Sequence, residues 1–85
     1  MNTWKATVMF RDENMPDVSM DNSSDDWDEG IDTAKTNLSI LFNRYASLKS
    51  GQILDPKGNK HVYSSRGEYL FTVPANIIQH MKGDQ

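Results

Sequence analysis

The chain has 85 residues, no cysteine, and twelve acids against nine bases, for a net charge of −3. That length makes one small domain, 1–85 with a frayed tail at 83–85, and a modest core, because a chain this size buries only about 60–65% of its unfolded surface. The missing cysteines exclude a disulfide framework, a thiolate metal site and a thiol nucleophile, and no stretch approaches the roughly 20 apolar residues of a membrane span.

The opening MNTWKATVMF carries one lysine and alternates instead of forming an apolar run, so it reads as structure and not as a signal peptide. The expected location is therefore the cytoplasm. From Thr3 to Arg11, Trp4, Ala6, Val8 and Phe10 fall on one face and Thr3, Lys5, Thr7, Met9 and Arg11 on the other, the period of a half-buried strand. Asp12 to Pro16 supplies a turn, and Val18 with Met20 predicts a short returning strand.

The central element is an amphipathic helix. Trp27, Ile31, Ala34, Leu38, Leu41, Tyr45 and Leu48 recur at alternating steps of four and three, which predicts a helix of about 24 residues. Asp26 followed by Glu29 has the form of a capping box. Ser50-Gly51 is the expected stop, with Lys49 set against the C-terminal end of the dipole. Gly30 reads as a weak point, about 1 kcal/mol worse than alanine in a helix interior.

Three strands follow. Gln52-Ile53-Leu54 and Lys60 to Tyr63 flank the turn Asp55-Pro56-Lys57-Gly58-Asn59, and Ser64 to Gly67 leads into Glu68 to Val73. Pro74 suits the first position of a short C-terminal helix running to Met81. One helix with one apolar stripe needs one sheet face to cover it. The expected fold class is α+β, a two-layer sandwich of the long helix on an antiparallel sheet of four to five strands, with Trp4, Val8, Phe10 and Leu70 in the sheet's share of the core.

Charge is segregated along the chain. Residues 12–32 hold nine of the twelve acids (Asp12, Glu13, Asp17, Asp21, Asp25, Asp26, Asp28, Glu29, Asp32) and no Lys or Arg, whereas from Lys35 onward seven bases face three acids. On a helical wheel Asp25, Asp28, Glu29 and Asp32 lie opposite the apolar stripe, with Cβ atoms about 5–6 Å apart. The helix dipole favours acids in the first turn. It does not explain Asp17, Asp21 and Asp32, nor the missing lysines, since two carboxylates about 6 Å apart still repel by roughly 0.7 kcal/mol in water. Ile40 lies among uncharged polar residues on the same outer side, in the manner of a contact surface. Asp26, Asp28 and Gly30 have the look of a calcium loop, but with Gly30 as the turn glycine Trp27 falls at a ligand position and Thr36 where a bidentate Glu is needed. No metal and no cofactor is expected.

Catalysis finds no motif. His61 and His80 lack a nucleophile or metal-ligand companion nearby in sequence, and there is no phosphate-binding glycine loop or His-Glu-x-x-His pattern. The chain is not expected to be an enzyme. Lys57, Lys60 and Arg66, with Tyr63 and Tyr69 close by, offer an alternative set of nucleic-acid contacts, opposed by the acidic segment. The 4-3 spacing of the stripe also allows a homodimeric assembly protein.

The segregated carboxylates of MDNSSDDWDEGID (Met20–Asp32), on a short cysteine-free chain without a catalytic signature, resemble in kind the small inhibitors made by bacteriophages and mobile elements, the anti-CRISPR and DNA-mimic proteins. That resemblance implies a protein that works by occupying a surface, in the host cytoplasm, on a partner that handles nucleic acid. The functional expectation is a non-enzymatic inhibitor that docks Asp21, Asp25, Asp26, Asp28, Glu29, Asp32 and Ile40 on a protein partner's basic surface, with no membrane and no direct nucleic-acid binding.

Overall fold

The computed structural model of the chain describes residues 1–76. The elements are β1 (Asn2–Phe10), β2 (Val18–Ser24), α1 (Trp27–Arg44), β3 (Leu48–Leu54), β4 (Lys60–Tyr63) and β5 (Tyr69–Val73). The strands form one antiparallel sheet in the order β2-β1-β3-β4-β5. The fold is thus α+β, with α1 packed on a five-stranded sheet among the described residues. The short C-terminal helix expected up to Met81 lies, beyond Asn76, outside the described residues.

β1 is an inner strand, paired with β2 on one side and β3 on the other. Trp4, Ala6 and Val8 are fully buried toward α1 and meet Ala34, Leu38, Leu41, Leu48 and Ile53 there. The face away from α1 carries hydroxyl pairs between β1 and β2, Thr3 with Ser23 at 3.0 Å and Thr7 with Ser19 at 2.8 Å. Leu70 is a correction to the expected core. It lies beside the register shift between β4 and β5 and is 54% exposed.

The start of α1 is set locally. Asp26 Oδ1 accepts from the backbone N–H groups of Asp28 and Glu29 at 2.9 and 3.3 Å, satisfying two of the four donors a helix start leaves open. The Asp26 N–H, which a full capping box would give to Glu29, donates instead to Ser24 Oγ.

The end of α1 differs from expectation. The helix has 18 residues and stops at Arg44, not near Leu48. Tyr45 caps it, donating its N–H to the Leu41 carbonyl, and Ser47 turns the chain in the left-handed region with φ 59°. Leu48 then re-enters the same core as the first residue of β3. Of the seven stripe residues, Ala34, Leu38, Leu41 and Leu48 are buried, Ile31 and Tyr45 pack against them and Trp27 stays exposed, so the set is shared by the helix, its cap and a strand. Arg11 fastens this turn, its N–H donating to the Ser47 carbonyl and its Nε to that of Leu48. Arg44, not Lys49, sits in the last helical turn, and Ser50-Gly51 lies inside β3. Gly51 is needed there, since a Cβ would come within 2.8 Å of the Phe42 ring.

Gly30 also changes meaning. The Trp4 ring lies directly under it, and a Cβ at Gly30 would stand 2.0 Å from the nearest ring carbon. The helix approaches the sheet at this point because residue 30 has no side chain. Asn22 of β2 donates to the Gly30 carbonyl and accepts from Asn37, which fastens the same stretch sideways. Replacing Gly30 with alanine, stabilising in an isolated helix, is expected here to destabilise by about 1–3 kcal/mol through overpacking. Each kcal/mol lowers the thermal midpoint of a domain this size by about 4–8 °C. Circular-dichroism melting measures it, and an unchanged or raised midpoint for Gly30→Ala would contradict the contact.

Candidate functional site

The acidic segment divides between two elements. Asp21 is on β2, opposite Lys5, on the sheet face away from α1. It is therefore not part of a single surface with the helical acids. Asp26 is engaged as the N-cap. Asp25, Asp28, Glu29 and Asp32 are exposed at the helix start, and among the described residues no Lys or Arg side chain lies within 4.0 Å of any of them. Their one ionic contact is loose, from the Met1 amino group to Asp25 at 4.0 Å. Ile40, 39% exposed, continues the outer face about two turns beyond Asp32.

The alternative cationic set does not converge. Lys57 sits over the Trp27 ring, 5.3 Å from its centroid, at the helix start. Lys60 pairs with Leu54 and Val73 on the sheet face away from α1. Arg66 alone reaches the space between α1 and β4.

That space is a groove of about 780 Å³. It exists because α1 packs across β1, β2 and part of β3, with no comparable packing on β4 or β5. Ile31, Lys35, Ser39 and Asn43, spaced by four, line its helix wall, with Leu38 and Phe42 deeper. His61, Tyr63, Tyr69 and the Arg66-Gly67 turn form the other wall. Among the described residues, the lining holds two cations, three aromatic rings of Phe and Tyr, and no carboxylate.

A chain of side-chain hydrogen bonds supports the strand wall. Asp55 Oδ2 meets His61 Nε2 at 2.9 Å, His61 Nδ1 meets Thr72 Oγ1 at 3.0 Å, and Thr72 Oγ1 meets the Tyr69 hydroxyl at 2.6 Å. Asp55 as a carboxylate can only accept. With the imidazole neutral, Nε2 carries the proton, Nδ1 accepts from Thr72, and Thr72 accepts from Tyr69. Asp55 Oδ1 also accepts from the N–H groups of Lys57 and Asn59, closing the β3–β4 turn. Burial raises the Asp55 pKa, but the bonds from His61, Asn59 and Lys57 together outweigh it, and the result lies below the ordinary carboxylate value. Tyr63 is pushed above the usual phenol value, first by burial and then by neighbouring Tyr69, so it stays protonated at neutral pH.

Carboxylate, imidazole and hydroxyl in that order is the arrangement that activates hydroxyl nucleophiles. Here the Thr72 oxygen is already held by Tyr69, so the visible result is a fixed Tyr69 ring. Sequence reading placed Asp55 in a turn and found no companion for His61. The Asp-Pro-Lys-Gly-Asn turn hinted at Asp55, but pairing His61 with Thr72 requires the register of β4 on β5.

Among the described residues, no three His, Asp or Glu side chains converge to hold a metal ion, and no helix is long and apolar enough to cross a membrane. No protein-family model, no curated protein and no solved structure matches the chain.

The Asp55 network gives a pH test with a defined sign. A carboxylate whose folded pKa is depressed stabilises the fold above its unfolded pKa, and that stability disappears as pH falls through the folded value. The wild type should therefore exceed Asp55→Ala by about 2–4 kcal/mol at neutral pH, from several bonds to a buried charge. The gap should narrow as pH falls below the ordinary carboxylate range. Urea unfolding at a series of pH values measures it, and a gap that is flat with pH would remove the ionised network.

Proposed function

We propose that the chain is a non-enzymatic protein-binding module, an inhibitor that presents the acidic start of α1 to a basic surface of a partner that handles nucleic acid. The observation that carries this reading is the exposure of Asp28, Glu29 and Asp32 on the first turns of α1, with Asp25 just ahead of the cap, without a Lys or Arg partner among the described residues. Four like charges so close repel one another, and an external cationic surface relieves the repulsion. The capped start and the Trp4 contact at Gly30 hold the group in fixed relative positions, so little ordering is lost on docking. Ile40 and the uncharged Thr36 extend the same side as an apolar and polar rim. Asp21 and Asp26 drop out of the contact set, one because it lies on the other sheet face and one because it caps the helix.

Attraction of this kind acts mainly on encounter rate and is screened by salt. Tagged protein, incubated with nuclease-treated lysate of the native host, is expected to capture a basic partner at low salt and release it at higher salt or on adding duplex DNA. The Asp25→Asn/Asp28→Asn/Asp32→Asn variant, checked for folding because it also loses dipole stabilisation of about 0.3–1 kcal/mol for each first-turn acid, should associate about tenfold more slowly or worse. A folded triple variant that captures the same partner at the same rate rules this function out.

A further inference from the structure

The groove between α1 and the β4–β5 hairpin is chemically unlike the acidic helix start and calls for a different ligand. We infer that it binds a nucleotide unit, with the phosphate held between Lys35 and Arg66 and the base stacked on the exposed ring of Tyr69.

Charge sets the class of ligand. The protein carries a net charge of −3, yet among the described residues this groove is lined by the cations Lys35 and Arg66 and by no carboxylate, the Asp55 carboxylate lying behind His61, whose Nε2 it meets. The acids nearest in sequence are Asp32 on the helix and Glu68 on the hairpin. Neither lines the groove, and neither is within 4.0 Å of Lys35 or Arg66. The two cations come from opposite walls, so an anion between them satisfies both.

The aromatic rings narrow the class further. Tyr63 and Tyr69 meet edge to face, with centroids 5.7 Å apart and planes at 70°. In that arrangement the edge of one ring meets the face of the other, so the pair itself covers at most one face of one ring. Tyr69 is 56% exposed, yet its hydroxyl is tied through Thr72 and His61 to the buried Asp55. An exposed tyrosine normally loses rotamer freedom when a ligand orders it. Here the ordering is already done before any ligand arrives. Ser39 and Asn43 add hydroxyl and amide groups of the kind that meet base edges. A cationic wall with fixed aromatic rings is how base stacking and backbone attraction combine in single-strand binding. At about 780 Å³ and open along the helix, the groove is within the range of small-ligand sites.

The set differs from the cations that sequence spacing suggested. Lys57 and Lys60 lie elsewhere and become internal controls. A free mononucleotide and a nucleotide within a single strand offer the same phosphate and base, so both are tested.

The experiment is an amide chemical-shift titration of the full chain with AMP, UMP, single-stranded oligo-dT and oligo-U, inorganic phosphate, and an acidic tyrosine-containing peptide. The expected result is saturable shifts at Lys35, Ser39, Asn43, Tyr63 and Gly67 with nucleotides or strands, weakening as salt rises. A strand at least tenfold tighter than the mononucleotide identifies single-stranded nucleic acid, and equal affinity identifies the free nucleotide. Lys35→Glu/Arg66→Glu should abolish binding, and Tyr69→Ala should weaken it about tenfold, within the range for stacking on one ring. Tyr69→Phe, which keeps the ring but cuts its tie to Thr72, should weaken it by less. Lys57→Glu and Lys60→Glu should leave it unchanged. The inference is overturned by absent shifts at millimolar nucleotide and strand, by phosphate alone reproducing the response, by shifts that follow Lys57 and Lys60, or by binding of the peptide only. Well-dispersed spectra of each variant separate a lost site from a lost fold.

Discussion

The contact between the Trp4 ring and Gly30 sets the distance between the helix and the sheet, and much of the molecule depends on it. Burying an indole removes about 150–250 Å² from water, worth about 4–6 kcal/mol at 25 cal/mol per Å². Among the described residues the Trp4 Nε1 is buried without a partner, a loss of about 1–3 kcal/mol. Burial therefore wins, and the edge contact with Trp27, 5.3 Å between centroids at 65°, adds to it. Among the described residues the largest fully buried side chains are Trp4, Leu41, Ile53 and Val8, so this one ring is a large share of that core. A glycine that weakens the helix taken alone is what allows the helix to bind its sheet.

That contact also fixes what the helix leaves uncovered. Seated on β1 and fastened to β2 through Asn22, α1 has no comparable packing on β4 and β5. Gly51 lets Phe42 settle onto β3 on the same side, and Phe42 becomes part of the groove's helix wall. Two surfaces of opposite character result: carboxylates at the helix start, and cations with aromatic rings in the groove farther along. They draw on different side chains, so each can be altered without touching the other. Asp55 and its partners act as the frame of the second surface, linking a closed turn in the sheet to an exposed tyrosine at its rim.

The errors of sequence reading share a cause. Leu48 fits the helical period, yet it reaches the core as a strand residue after Ser47 reverses the chain, because a buried set can pass from one element to the next without breaking its spacing. Asp21 fits the acidic run but faces the other way, since a strand alternates its sides and a helix does not. Lys57, Lys60 and Arg66 are neighbours in sequence and point to three different places. The Asp55–His61–Thr72–Tyr69 chain was invisible because its middle link, His61 to Thr72, forms only through the register of β5 on β4.

What the amino-acid order determined by itself was local: the alternation of β1, the Asp26 cap, the apolar stripe of α1, the turns at Gly58 and Gly67, and the segregation of acid from base. Each depends on residues only a few positions apart, where backbone geometry leaves few options. Tertiary structure alone decided where the helix ends, why residue 30 has to be glycine, which carboxylates share a surface and which side chains line the groove. Those outcomes depend on contacts between residues far apart in the chain, such as Trp4 with Gly30 and Lys35 across from Arg66, and no spacing along the chain encodes them.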